Sequence, residues 1–186
     1  MRSLVIAGAI IVWALRLGPF LFFRTRNAGE DKRYRQIKTS FPTWLMVWTI
    51  QGSWVFITAS CALAAVTSST SKPLGLLFYV GLALWVAGFA IEILADRLKT
   101  IFRSQAGNED RCISSGLWAW SRHPNYFGEI IEWIGWAILT WSISGVVFLI
   151  WVIANLFPRA ISHHRWYKSK FEDYPKTRKA IIPGII

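Results

Sequence analysis

Hydrophobic runs long enough to cross a bilayer dominate this chain, and short basic segments separate them. A membrane-spanning helix needs about 20 consecutive apolar residues. Three runs come near that length, at Leu4 to Phe23, Phe41 to Val66 and Pro73 to Ala95. We predict a transmembrane helix for each of these runs.

A fourth hydrophobic stretch, from Tyr126 to Phe157, is too long for one span and short for two. The segment Ser142 to Gly145 offers its only plausible break. We therefore predict a helical hairpin with arms Tyr126 to Trp141 and Ile143 to Phe157. Each arm is only about 24 Å long at about 1.5 Å per residue, so its polar ends are expected to face protein or water.

The distribution of charge along the chain predicts the topology. Lys and Arg concentrate in the segments 24–38, 97–122 and 159–179, whereas Arg2 and Lys72 stand nearly alone at the other ends of the spans. Basic loops remain on the cytoplasmic side of a membrane, so an even number of spans separates the second and third segments. We predict an all-α, polytopic transmembrane helical bundle of five spans, with the amino terminus outside and the carboxy terminus cytoplasmic. Residues 1–186 are expected to form a single integral-membrane domain.

Composition excludes an ordinary soluble protein. Hydrophobic residues make up 54% of the chain, and 12 Trp and 12 Phe are among them, far from soluble usage. The net charge of +11 suits an anionic lipid surface, a nucleic acid or a phosphorylated small molecule, and the membrane spans favour the first and last of these. Cys61 and Cys112 have neither the number nor the spacing of a disulfide framework or metal site.

The first hydrophobic run is predicted to be a permanent span. Arg16 interrupts it, and no small-residue cleavage site followed by a soluble domain comes after it, unlike a secretory signal peptide. We therefore expect a multi-pass protein of a bacterial inner membrane or, in a eukaryote, of the endoplasmic reticulum.

Polar side chains recur at helical spacing on three predicted helices, each time at the cytoplasmic end. Residues three, four or seven apart share one helix face. The three stripes are Glu92, Asp96, Lys99 and Arg103; Asn125, Glu129 and Glu132; and Arg159, His163 and Tyr167. Ionisable groups within a bilayer are costly unless paired or wet, so they mark functional sites. We predict one cavity, open to the cytoplasm and lined by all three stripes.

Each stripe also has a structural alternative. The first is equally consistent with a solvated helix surface that carries i, i+4 ion pairs. For Glu129 and Glu132 the alternative is a structural ion pair between helices, against which their apolar neighbours argue. His163 and His164 are also consistent with interfacial residues beside Arg165.

The residue types in this predicted cavity favour a phosphorylated nucleotide as one ligand. Guanidinium groups bind phosphate, whereas carboxylate and amide groups bind ribose hydroxyls and a carboxamide. The available arginines are Arg103, Arg111, Arg122 and Arg159. The chain has neither a GxGxxG nor a GxxxxGK[ST] motif, so no Rossmann unit or P-loop supplies the phosphate site. The nucleotide is therefore expected between membrane helices, with an apolar second partner entering from lipid.

The carboxy-terminal part of the chain resembles the steroid 5-alpha-reductases. The matching residues are Glu129-Ile-Ile-Glu-Trp-Ile-Gly135, Thr140-Trp-Ser142, Arg159-Ala160, His163-His164, Tyr167, the FEDYPK segment Phe171 to Lys176, Arg178-Lys-Ala180 and Ile182-Pro183. The stretch GLWAWSRHPNYFGE, residues 116–129, is similar to uncharacterised bacterial and sterol-reductase-like relatives. RHPxYxG alone is less specific, because isoprenylcysteine carboxyl methyltransferases have a similar signature. The resemblance runs from about Glu92 to the end and is looser upstream.

This resemblance implies an NADPH-dependent reductase that delivers hydride to a carbon–carbon double bond conjugated with a carbonyl, in a steroid-like or isoprenoid lipid. In such a site the arginines bind the phosphates, Asn125 and Glu129 orient the nicotinamide, and Tyr167 and His163 close the site from the tail. No metal ion is implied. Matched position by position, the cofactor-binding residues are Asp96, Arg103, Arg111, Asn125, Glu129, Arg159, His163 and Tyr167.

The resemblance also implies a catalytic group that this chain is expected to lack. The reductases have seven transmembrane helices, and a Glu on one of the first two acts with a Tyr on the next to polarise the substrate carbonyl. The five predicted spans correspond to the last five of those helices. Polarising an enone needs a donor aimed at the developing oxyanion, and Arg16 is the candidate for that catalytic role.

Two other functions remain open. One is a methyltransferase of the isoprenylcysteine type that uses S-adenosylmethionine at the RHPNY motif; because that ligand has no phosphates, the abundance of arginines argues against it. The other is a non-catalytic membrane protein, such as a partner or lipid-binding subunit, whose Asn125 and Glu129 contribute to no cofactor site. Saturation binding with each cofactor distinguishes the three functions.

Overall fold

The computed structural model describes residues 1–28, 34–35, 37–67, 74–108, 111–172, 174–175 and 177–185, and its long elements in these ranges are α-helices. A short 3₁₀ helix is formed by Ile37–Thr39. The predicted all-α fold class is confirmed. The helices are α1 (Arg2–Ala28), α2 (Phe41–Thr67), α3 (Leu76–Ser104), α4 (Leu117–Trp120), α5 (Pro124–Thr140) and α6 (Ile143–Lys170).

The chain divides into two compact units, Met1–Leu74 and Gly75–Ile186. The first contains α1 and α2, and α1 includes Arg16. The second contains α3 to α6 and all the residues predicted to bind the cofactor. The two units are described separately below, and a single integral-membrane domain over residues 1–186 stays a prediction.

Within the described residues, three helices are long and apolar enough to cross a membrane: Arg2–Arg26, Leu76–Ser104 and Ile143–Lys170. In addition, α2 is helical over the second predicted span and α5 over the fourth, although α5 has only 17 residues. The five-span count and the orientation stay predictions. Pro73 and Lys72, at the start of the predicted third span, lie outside the described residues.

The predicted break in the fourth hydrophobic stretch is confirmed, because α5 and α6 are joined at Trp141 and Ser142. Trp141 adopts a left-handed conformation with φ 48°, and its N–H donates to Ala137 O at 3.0 Å, which closes α5. The Ser142 hydroxyl then accepts from Gly145 N at 3.1 Å and caps the start of α6. A serine hydroxyl in this place satisfies one of the free N–H groups of the first turn.

The second arm of this hairpin is longer than expected. The predicted span ended at Phe157, but α6 continues past Pro158 to Lys170 and has 28 residues. The end of an apolar run marks where a helix leaves the bilayer, not where its hydrogen bonding stops. The third polar stripe therefore lies on α6 itself, at its carboxy-terminal end.

Glycines bring α3 and α5 into backbone contact. Gly81 and Gly88 on α3 face Gly135 and Gly128 on α5, so the helices run antiparallel. A Cβ on Gly128 would lie 2.8 Å from Gly88 O, and a Cβ on Gly135 would lie 2.7 Å from Gly81 O. Only small residues permit such close approach between membrane helices. The antiparallel order places the end of α3 beside the start of α5.

A tryptophan and a phenylalanine join α5 to α6. The Trp133 ring meets the Phe148 ring edge to face at 4.4 Å, and both side chains are buried. Because α6 runs back along α5, its carboxy-terminal half returns toward the start of α5. The ends of α3 and α6 and the start of α5 therefore meet at one end of the second unit.

Candidate functional site

The RHPN segment, Arg122 to Asn125, forms the start of α5. Pro124 occupies the first helical turn, where a missing N–H costs nothing and the fixed φ favours a helix. His123 is the residue before it, with φ −131° and ψ 64°. Ser121, Arg122 and His123 are all buried, at 0%, 3% and 7% exposure. A charged side chain is rarely so buried without a specific partner.

Residues 178–182, called here the tail strand, fix the backbone of this segment. Arg122 N donates to Lys179 O at 2.8 Å, and His123 N donates to Ala180 O at 3.1 Å. The Ser121 hydroxyl donates to Ile181 O at 2.6 Å. These bonds form a short parallel bridge between segments about 60 residues apart in the chain. The tail strand therefore sets the position from which the Arg122 and His123 side chains project.

Arg178 fastens the tail strand to the loop before α4. Its guanidinium, only 4% exposed, donates from Nη1 to Ile113 O at 3.0 Å and to Cys112 Sγ at 3.3 Å. It also lies 5.2 Å from the centre of the Tyr174 ring. Hydrogen bonds from a charged donor are among the stronger ones in proteins, so Arg178 is the main side-chain anchor of the tail strand.

A group of cationic side chains and histidines, Lys99, Arg122, His123 and His163, forms a basic pole. The Arg122 guanidinium lies 3.4 Å from the centre of the Tyr167 ring and 5.5 Å from that of Trp118. Rings of this kind attract a guanidinium and hold its plane. Lys99 Nζ lies 5.4 Å from the same Trp118 ring.

His123 connects the basic pole to α5 and α6. Its imidazole stacks on the Tyr126 ring with centroids 4.6 Å apart, and the His163 ring lies 5.5 Å away. Burial, together with the adjacent Arg122 charge, lowers the pKa of His123 from 6.5 to about 2. The imidazole is therefore neutral at physiological pH.

Three carboxylates, Glu92, Asp96 and Glu129, form an acidic pole at the same end of the unit. Glu129 interacts electrostatically with the other two and with Arg159 on α6. The Trp133 indole N–H donates a hydrogen bond to its carboxylate. The close contact of α3 with α5, where Gly128 lies against Glu92 N, is what brings carboxylates of two helices together.

Several buried polar atoms at the start of α5 have no hydrogen-bond partner in the described part of the chain. They are Arg122 Nε and Nη1, His123 Nε2 and Asn125 Oδ1. Leaving such an atom unsatisfied costs about 1–3 kcal/mol, and native proteins rarely tolerate it. Grouped on three of the four residues from Arg122 to Asn125, these atoms indicate a polar ligand at the start of α5.

Comparison with known proteins identifies the family of the chain. A family profile described as "Protein of unknown function (DUF1295)" matches residues 1–164. The chain belongs to the DUF1295 family. The matched region includes α1 to α5 and most of α6, but not the tail strand.

This DUF1295 chain is also similar to steroid 5-alpha-reductases. It is 43% identical over 109 residues to 3-oxo-5-alpha-steroid 4-dehydrogenase 1 of Mus musculus, which covers 59% of this chain and 43% of that protein. It is 46% identical over 107 residues to Steroid 5-alpha-reductase DET2 of Solanum lycopersicum, covering 57% and 41%. The resemblance predicted from the sequence is confirmed. The chain spans less than half the length of these relatives.

Three long apolar helices and this similarity identify a multi-pass integral membrane protein. The predicted localisation in a membrane is therefore confirmed. Which membrane contains this DUF1295 protein stays a prediction.

Most of the residues predicted to bind a cofactor lie at one end of the second unit, where α3 and α6 end and α5 begins. Asp96, Glu129 and Arg159 interact around the acidic pole, and Asn125 lies at the start of α5. His163 and Tyr167 contact His123 and Arg122 of the basic pole. Their roles in binding stay predictions.

Two predicted phosphate ligands lie at the end of α3 and in the loop that follows it, and the predicted catalytic residue belongs to the first unit. Arg103 and Arg111 are solvent-exposed at the loop around Asn108, whose backbone O accepts from Arg103 Nη1 at 3.3 Å. Arg16 lies on α1 in the first unit, with its guanidinium 5.2 Å from the Phe20 ring centre. Its proposed role stays a prediction.

The two adjacent histidines of α6 have different partners, as neighbouring helix positions require. His163 faces His123, whereas His164 Nδ1 lies 3.1 Å from the Tyr174 hydroxyl. Among the described residues, no group of three or more His, Cys, Asp or Glu side chains comes together to hold a metal ion.

Two features of the site were not predicted from the sequence. One is the role of Trp118, whose indole donates to Ala95 O at 3.0 Å and whose ring lies under Lys99 and Arg122. The other is the tail strand. The RHPN and RKA segments were both part of the resemblance to the reductases. Their hydrogen bonding to each other joins segments about 60 residues apart in the chain, and such pairing leaves no periodic pattern in the sequence.

Proposed function

We propose that this chain forms the cofactor-binding part of a membrane-embedded, NADPH-dependent reductase. Its substrate would be a carbon–carbon double bond conjugated with a carbonyl in a steroid-like or isoprenoid lipid. One observation supports this proposal above the others: buried polar atoms of Arg122, His123 and Asn125 have no partner among the described residues, at the end of an apolar helical unit. That arrangement suits a ligand that is large, polar and charged at one end.

The residues of the two poles fit a phosphorylated dinucleotide. The basic pole offers cationic donors for phosphate and aromatic faces for a flat ring. The acidic pole offers acceptors for ribose hydroxyls and for a carboxamide N–H₂. Asn125 Oδ1, which has no partner among the described residues, is a further acceptor for that amide.

Each group in the proposed site has a physical role. Glu129, held by the Trp133 indole, would orient the nicotinamide end together with Asn125. Tyr167 and His163 would close the site from α6. When bound, NADPH supplies a hydride for the conjugated double bond. Arg16 stays our candidate for polarising the substrate carbonyl, as a fixed positive charge on α1.

Binding of NADPH to the detergent-purified full chain tests this proposal. Nicotinamide fluorescence should report saturable binding, and Glu129→Ala should weaken it by about tenfold or more, since it removes an ionic hydrogen-bond acceptor. Glu172→Ala, on an exposed carboxylate of the tail, is the matched control and should bind as the unchanged chain does.

Two results would contradict the reductase. Stabilisation by S-adenosylmethionine without any binding of NADPH would favour a methyltransferase. The absence of binding by either cofactor would favour a non-catalytic membrane protein. If NADPH binds, consumption of NADPH with a 4-ene-3-oxo steroid then tests the substrate class.

A further inference from the structure

The arginines near the proposed site differ sharply in burial. Arg103, Arg111 and Arg159 are exposed, whereas Arg122 is 3% exposed. An exposed guanidinium satisfies its donors with water. Water does not reach Arg122 Nε and Nη1 in this way, because both atoms are buried, and they have no acceptor among the described residues. A ligand that brings oxygen acceptors to Arg122 therefore gains more than one that meets the exposed arginines.

The Arg122 side chain is held in place before any ligand binds. Its backbone N–H is fixed by Lys179 O at 2.8 Å. Its guanidinium lies between two aromatic neighbours, 3.4 Å from the Tyr167 ring centre and 5.5 Å from that of Trp118. A preorganised side chain loses little conformational freedom on binding. Arg122 thus has the properties of a specificity-determining contact.

The electrostatic surroundings of this position indicate the kind of anion. The titratable groups that act on His123 are Arg122, His163, Lys99 and His164, all of them basic side chains. The carboxylates instead surround Glu129. A phosphate monoester carries a charge of about −1.5 to −2 at pH 7, more than either phosphate of a pyrophosphate bridge. The basic pole therefore suits a monoester best.

We propose that Arg122, with His123 beside it, forms the subsite for the 2′-phosphate of the dinucleotide and makes the site select NADPH over NADH. This inference rests on the proposed function, since it assigns one end of the same ligand. His123 Nε2, buried beside Arg122 and without a partner in the described residues, provides a second contact for the same phosphate. The acidic pole would then hold the opposite, nicotinamide end.

Dissociation constants of NADPH and NADH, measured by fluorescence on the detergent-purified full chain, test this inference. The unchanged chain should prefer NADPH by about tenfold or more, as expected when an ionic hydrogen bond is gained. Arg122→Gln should raise the dissociation constant of NADPH by about tenfold to a hundredfold and that of NADH by less than about threefold. Arg165→Gln, on an exposed arginine of α6, should change neither.

Two further measurements keep the test independent of the folding of one variant. Arg122→Lys retains a charge but not the stacked guanidinium, and it should lose part of the preference for NADPH. In the unchanged chain, 2′-AMP should displace NADPH more effectively than 5′-AMP, because only the former presents a 2′-phosphate to the basic pole.

The outcomes separate this inference from the proposed function. Equal affinity of the unchanged chain for NADPH and NADH, an equal loss of both in Arg122→Gln, or equal displacement by the two nucleotides would overturn the assignment of Arg122 and leave the reductase intact. Failure of the unchanged chain to bind either dinucleotide would overturn both.

Discussion

Replacing Gly88 by alanine should separate α3 from α5. A Cβ at this position would lie 2.5 Å from Gly128 O and 2.8 Å from Glu132 Cα. Ordinary contacts of this kind begin near 3.4 Å, so the two helices must move apart by about 1 Å. Both opposing atoms belong to the backbone, so no side-chain rotation can relieve the clash.

The magnitude follows from two opposing effects. Overpacking in a well-packed interface costs about 1–3 kcal/mol, and we take the upper end because the contact is between backbones. Alanine favours a helix interior over glycine by about 1 kcal/mol. The net expectation is therefore a loss of about 2 kcal/mol in the free energy of unfolding. Gly52→Ala on α2, where nothing lies within 4 Å of an added Cβ, should be neutral or slightly stabilising.

Denaturation of the purified chain in mixed micelles, followed by tryptophan fluorescence, measures both variants on one scale. NADPH binding supplies a second readout, because the same contact positions Glu92 near Glu129. If Gly88→Ala unfolds like the unchanged chain, or if Gly52→Ala loses as much stability, the backbone contact between α3 and α5 is not what holds the second unit together.

Three smaller changes have defined consequences. Trp118→Phe removes the hydrogen bond to Ala95 O and should lower the free energy of unfolding by about 0.5–1.5 kcal/mol, the usual net contribution of one hydrogen bond. Trp120→Phe, on a ring that is 67% exposed, should leave the free energy of unfolding unchanged. Because the pKa of His123 is lowered to about 2 in the fold, the unfolded chain binds a proton below pH 6.5 that the folded chain does not. The free energy of unfolding should thus fall by up to about 2 kcal/mol from pH 7 to pH 5 through this group. If the free energy of unfolding of a His123→Gln variant falls as steeply over the same pH range, this reasoning is wrong. Ser142→Ala removes the cap of α6 and should cost about 1 kcal/mol by thermal unfolding, whereas Ser142→Asp should restore most of it.

Features with a local signal were predictable from the sequence. The hydrophobic runs located the helices, and the polar break at Ser142 located the turn between α5 and α6. The three polar stripes were expected to line one cavity, and the structure brings Asp96, Glu129 and Arg159 together at one end of the second unit. Helical spacing succeeds here because it is a property of single elements.

Features that depend on packing between distant elements were not predictable. Four glycines were visible in the sequence, but only the antiparallel order of α3 and α5 pairs them. Residue type does not distinguish Arg103 from Arg122, yet Arg103 is exposed, whereas Arg122 is buried beside the Tyr167 and Trp118 rings. The end of α6 was placed too early because hydropathy reports the solvent around a helix and not its hydrogen bonds.

The pairing of the tail strand with the RHPN segment has a consequence for biosynthesis. Ser121 and Ala180 are 59 residues apart, so at about 5–20 residues per second the ribosome reaches the second about 3–12 s after the first. During that interval the α5–α6 hairpin emerges and can enter the membrane, while the amides of Arg122 and His123 still bond to water. The proposed cofactor site is therefore completed only after both arms of the hairpin have been synthesised.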